Sequence, residues 1–330
     1  MVIPAPGCNP ELSGEVHVTG TLTLRGYASS GANEGWLILS GNLIRDVNAS
    51  LTLGVAVDFR VPGLDLSNQS DTVWANGDTR KFRGGIKSLG KTAFAEGNWI
   101  CMEANAFDPK FGGSIRLGTN DNNLNFDLNG FDQCYGTMYW KADDKYCPKF
   151  VITSPTPATL TICGGMRNDA AAASYTYCGR VNGAASVELN STNSATAGLA
   201  KFAFGASETT GGLLCRRGTL TVESTASFSN LTELVVSGEG KMALNTSDIG
   251  NATNLCVAVT NTLSNGALTL ADGVEISADT MVIKADRWLN AGVYGGPNSA
   301  APHKLDCLAG TGTITVNRYG GPKGLLLLVR

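Results

Sequence analysis

GTLTVESTASFSNLTELVVSGEGKMALN, residues 218–245, contains three short alternating runs. TLTV (219–222), ELVV (233–236) and KMAL (241–244) each end near a Gly, Ser or Asn, and nothing between them has helical spacing. Successive side chains of a strand point to opposite faces, so Leu220 and Val222 share one face while Thr219 and Thr221 share the other. A four-residue strand cannot bury its own apolar face. Stacking each strand on the next, parallel and in register, buries the Leu/Val face and pairs the backbone on both sides.

The same unit recurs along the chain: TLTL at 21–24, SLTL at 50–53, TLTI at 159–162, SVEL at 186–189, ALTL at 267–270 and TITV at 313–316. The first two starts lie 29 residues apart, and from 159 onward the steps are 27, 33, 22, 26 and 46. Between 50 and 159 lie further strand candidates, WICME, SIRLG, LNFDL and TMYWK. A repeat of roughly 22–30 residues fits one coil of a β-helix carrying two or three strands, with loops of unequal length loosening the period. Gly and Asn between the strands suit corners that need positive φ. The expected fold is therefore all-β, a parallel β-helix (β-solenoid). Residues 1–110 read as N-terminal coils with room for a cap or binding element, and 111–330 as the repeat region of the same continuous solenoid.

An antiparallel β-sandwich is the alternative. It would draw on the turn dipeptides Asn129-Gly130, Asn265-Gly266 and Asp272-Gly273. Residues 265–287 would then form a meander of ALTL, VEIS and MVIK.

Composition agrees with strands and turns. The 330 residues are 43% hydrophobic but only 16% charged, with 41 glycines and few helix formers. Net charge is −3 and no basic run exceeds a pair such as Arg216-Arg217, so the sequence carries no nucleic-acid footprint. No stretch approaches the length of a transmembrane helix. MVIPAPGCNP has neither a charged n-region nor a long apolar run and does not read as a signal peptide. Abundant uncharged polar residues suit an extracellular or cell-surface protein, of which this would be a trimmed or partial chain.

The nine cysteines show no CxxC spacing, which argues against zinc. Cys101, Cys163 and Cys256 sit in strand-like runs and read as small core residues. Cys134 with Cys147, and Cys163 with Cys178, are the local disulfide candidates.

Chemistry-bearing motifs are sparse. The chain has no GxSxG, P-loop or HExxH pattern, and its two histidines, His17 and His303, lie far apart. Asp121, Asp127 and Asp132 form the best acidic cluster. Such carboxylates would serve a glycoside hydrolase or a polysaccharide lyase, but on a stacked helix they more simply join a hydrogen-bonded polar ladder. Asn120, Asn122, Asn123 and Asn125 read the same way, as an amide ladder. Trp74, Trp99 and Trp140 are candidates for stacking on sugars, set against packing in the core or a cap. No catalytic residue, metal or cofactor is assigned.

LNFDLNGFDQ (124–133), GGLLCRRGTLTVESTASFSNLTELVVSGEGKMAL (211–244) and ALTLADGVEIS, LNAGVYGG and LAGTGTITV within 267–316 resemble autotransporter-associated β-strand repeat proteins. The likeness lies in the order of the phrases: a Gly-Thr-Leu-x-Val strand, a Leu-x-Val-x-Gly-x-Gly step, Gly-Val-x-Ile, Ala-Gly-x-Tyr, and a final Gly-Thr-Gly strand. It covers mainly 199–318. The resemblance implies a right-handed parallel β-helix, secreted or on the cell surface, serving as a passenger, adhesin or structural scaffold. The expected function is a non-catalytic scaffold of that kind. A carbohydrate-active β-helix enzyme and a glycan-binding module are the alternatives. Surface glycans and self-association through the coil ends, the latter suggested by the apolar run Leu325–Leu328, are the expected partners.

Overall fold

The computed structural model describes residues 207–321 apart from 261–265, 285 and 286. It also describes 124–135, 150–163 and 179–190, and elsewhere chiefly the short strands. The chain is all-β, with no helix among the described residues, and its mostly parallel sheets wind as a β-solenoid of about four turns. The turns are clearest between Leu199 and Ile283. There the chain alternates between two sheets four times: Leu199–Phe202 then Gly212–Arg217, Thr219–Val222 then Glu233–Val236, Lys241–Leu244 then Cys256–Val259, and Leu268–Leu270 then Thr280–Ile283.

Each strand pairs in parallel with its counterpart one turn away, and the register stacks like on like. Leu220 pairs with Met242, Met242 with Leu268, and Leu268 with Leu308. On the other sheet the row is Leu213, Leu234, Val257 and Met281, beside a second row of Cys215, Val236, Val259 and Ile283. All of these side chains are buried. TLTV, CVAV and TITV alternate half-buried with buried, and ELVV and KMAL alternate in the same way from an exposed first residue. The opening stretch therefore folds as its pattern dictates. Phe228, Leu231, Ile249 and Leu255, between the strands, turn inward and fill the third side of the core.

The corners stack as well as the strands. At Ser237–Gly240 the Ser237, Glu239 and Lys241 N–H groups donate back to the carbonyls of Cys215, Arg216 and Gly218, one turn earlier. Gly238 has φ +56, and a Cβ there would sit 2.8 Å from the Arg216 carbonyl oxygen. Only glycine meets both demands without strain.

The sheet that holds Gly212–Arg217 continues toward the N-terminus through Arg180–Asn190, Phe150–Ile162, Leu124–Asp127, Gly97–Cys101, Thr79–Phe82, Val57–Phe59, Leu37–Leu39 and Glu11–Leu12. Within it, Gly97–Cys101 pairs in register with Leu124–Asp127. At the other end the direction changes. Arg287–Trp288 pairs antiparallel with Val282 and Ile283, and Gly292–Gly295 pairs antiparallel with Thr313–Val316. These pairings give the final rungs a partner at the edge that parallel stacking would leave open. Leu325–Leu328 lie outside the described residues.

The sandwich alternative is not what forms. ALTL, VEIS and MVIK contribute strands to three different sheets, so these runs follow the solenoid and do not form a meander. Asn129 (φ 52) and Gly130 (φ 80) do make a tight turn, with the Phe131 N–H donating to the Leu128 carbonyl. The strand that follows, Gln133–Tyr135, runs parallel to Leu160–Ile162, so this turn serves as a corner and not as a hairpin.

The register makes a direct prediction. Leu234→Ala empties a site packed between Leu213 and Val257 and lowers stability by about 2–5 kcal/mol. Thr221→Ala, on the outward side of a neighbouring strand, changes it by less than about 0.5 kcal/mol. Urea unfolding of the two variants checks the contrast.

Candidate functional site

Among the described residues, the outward face is built of short polar side chains that bind the backbone or side chains of adjoining turns. The Thr232 hydroxyl donates to the Thr210 carbonyl at 2.8 Å, Asn245 Nδ2 donates to Glu223 Oε2 at 3.2 Å, and the Thr311 hydroxyl donates to Asp272 Oδ1 at 2.8 Å. Two ion pairs extend the pattern. Arg216 meets Glu188 at 2.6 Å, and the Arg318 guanidinium binds both carboxylate oxygens of Asp279, at 2.7 and 2.5 Å. Thr161 also donates to Glu188, so this nearly buried carboxylate ties three consecutive rungs together.

The acids singled out by the sequence take part in the same bonding. Asp127 ends Leu124–Asp127, and its Oδ1 accepts the Asn129 N–H at 2.8 Å, closing the corner turn. Asn129 in turn donates to the Cys101 carbonyl at 3.0 Å, and Gly130 N–H donates to Ser154 Oγ at 2.9 Å. The turn is thus fastened to the rungs before and after it. Burial pushes the Asp127 carboxyl upward, against the lowering effect of its hydrogen bond from Asn129. Asp132 is exposed, and its Oδ1 accepts the Thr159 N–H at 2.7 Å. Asp121 lies outside the described residues, as do Asn120, Asn122 and Asn123.

The aromatic candidates separate by position. Trp99 is completely buried, in register with the buried Phe126, so it is a core residue and offers no face to a sugar. Trp140 ends the strand Thr137–Trp140, where only its backbone is described, and Trp74 lies outside the described residues. Among the cysteines, Cys134 and Cys163 come together. Their sulfur atoms face each other at 2.6 Å. Cys147 and Cys178 lie outside the described residues. Cys101 and Cys215 are buried, and burial pushes the Cys215 thiol up to about 12.

One surface feature escaped the sequence reading. Beside the antiparallel end of the solenoid, a cleft of about 520 Å³ is lined by Arg287, Trp288, Leu289, Asn290, Tyr294, His303 and Lys304, among others. Tyr294 stacks on His303 with ring centroids 5.0 Å apart, and its hydroxyl donates to the Asn290 carbonyl at 2.9 Å. The Lys304 ammonium donates to the Ser299 carbonyl and, at 3.3 Å, to its hydroxyl, holding the 296–301 loop against the cleft. Aromatic faces beside two cations and a carboxamide suit stacking and hydrogen bonding to a polar, neutral or anionic ligand. No carboxylate is among the described lining residues, so the paired acids that glycoside hydrolysis needs are not found here. The signal for this cleft is weak in sequence because its residues come from three short strands and the loops joining them, with no fixed spacing.

Compared with known proteins, the chain matches no family model, no curated protein and no solved structure.

The environment of Asp127 gives a pH prediction. A carboxyl raised in the folded state adds stability below its ordinary pKa and loses it as pH rises through the folded value. Asp127→Asn keeps an Oδ1 acceptor for the Asn129 N–H but removes that titration. Its stability relative to the wild type is therefore higher at pH 7 than at pH 3, as urea midpoints at the two values will show.

Proposed function

We propose that this chain is a non-catalytic structural scaffold, an extracellular or cell-surface β-solenoid of the kind found among autotransporter-associated repeat proteins. The observation that carries the reading is the use made of its polar groups. Asp127, Asp132, Glu188, Asp272 and Asp279 each bind a group on their own corner or a neighbouring turn. Carboxylates arranged for hydrolysis or elimination face a substrate groove, whereas these close a corner or hold neighbouring turns together. A rod joined in this way presents a long, regular surface at low sequence cost, which is what a stalk or adhesin segment requires.

A glycan-binding role is the second reading, favoured by the cleft that combines Trp288, Tyr294, Arg287 and Asn290. It adds ligand capture to the scaffold without adding chemistry.

Incubation with acidic and neutral polysaccharides, with and without Ca²⁺, should release neither reducing ends nor unsaturated products. Product release would contradict the scaffold reading. On a glycan array, a positive signal lost in Trp288→Ala would establish the second reading, and the absence of signal would remove it.

A further inference from the structure

Cys134, in Gln133–Tyr135, and Cys163, one residue past Phe150–Ile162, lie on the same outward face of successive rungs. Cys134 pairs in register with Thr161, and Cys163 follows two residues later on that face. Their sulfur atoms are 2.6 Å apart, well inside ordinary contact between unbonded sulfurs and approaching the ~2.05 Å of a covalent bond. Both side chains are partly exposed, so a small reagent can reach them. The surrounding bonds hold the two strands in place. Asp132 accepts the Thr159 N–H, and the buried Gln133 donates to the Phe131 carbonyl at 3.2 Å.

We propose that Cys134 and Cys163 form a cross-rung disulfide, a covalent modification site that staples two successive turns of the solenoid, made by exchange with a low-molecular-weight disulfide. Either thiol can begin; when Cys134 does, it loses its proton to solvent, and the thiolate attacks one sulfur of the reagent RS–SR. A mixed disulfide forms and RS⁻ departs, taking up a proton. The Cys163 thiol then gives up its proton, its thiolate attacks the Cys134 sulfur, and the second RS⁻ is expelled and protonated. Two protein thiols are oxidised, and one RS–SR is reduced by two electrons to two RSH. The close contact favours the thiolate of one sulfur while the other keeps its proton and donates to it, and burial and the Glu188 carboxylate raise both members of the pair.

The two positions are 29 residues apart, so the bond closes one full turn and restricts the unfolded chain. It persists in an oxidising compartment and is removed in a reducing one. The site does not depend on the scaffold reading.

Trypsin places the four relevant cysteines on four peptides, 117–141, 146–149, 150–167 and 168–180. The folded, reduced protein is equilibrated with oxidised glutathione, alkylated, digested and analysed by mass spectrometry. The expected product is 117–141 linked to 150–167, with a melting midpoint roughly 5–10 °C above that of the reduced protein. In Cys163→Ser, position 134 should stop at the glutathione adduct. Alkylated thiols at both positions, or linkage of 117–141 to 146–149 or of 150–167 to 168–180, would overturn the assignment. An unchanged midpoint would overturn the stapling role.

Discussion

The structure depends on one constraint: every strand must find its backbone partners on the neighbouring turns, in the same direction and in the same register. A slip of one residue would turn the aliphatic face outward, because side chains alternate with a period of two. The rows Leu220–Met242–Leu268–Leu308 and Leu213–Leu234–Val257–Met281 show the constraint satisfied. Corner hydrogen bonds such as Glu239 N–H to the Arg216 carbonyl fix the length of each turn, so that the next strand arrives in register.

The outward face serves the same end by other means. Threonines, asparagines and carboxylates there bind between turns, and Glu188 gathers Thr161 from one neighbouring rung and Arg216 from the other. An exposed pair contributes little alone, but a row of such contacts repeated turn by turn opposes slippage. At the end of the stack the chemistry changes. The antiparallel strands Arg287–Trp288 and Gly292–Gly295 close the ladder, and the cleft lies beside them, where the strict repeat is relaxed and larger side chains such as Trp288 and Tyr294 fit.

The fold was legible because its determinants are local and repeated. TLTV, ELVV and KMAL carry their own burial pattern, and their spacing carries the turn. Turn dipeptides were less informative. Asn129-Gly130 adopts the positive φ values that its composition demands, yet that geometry serves a solenoid corner as readily as a hairpin. Contacts between turns were hidden for a different reason. Cys134 lies nearer in sequence to Cys147 than to Cys163, but it is the turn length that decides which side chains meet. Trp99 could not be placed from composition either, since a strand tryptophan faces core or solvent according to a register that only its neighbours define. The cleft depends on where the antiparallel end folds back, and no short motif encodes that.

The central claim is parallel, in-register stacking of successive turns, and paired spin labels measure it most directly. Thr219 pairs with Lys241 and Thr221 with Ala243. Labels placed at 219 and 241, and separately at 221 and 243, should give the same strong dipolar broadening, because both backbone pairs are separated by one inter-strand spacing of about 4.8 Å. If the two pairs instead broaden unequally, with one pair close and the other distant as oppositely running strands would place them, the account of the fold is contradicted.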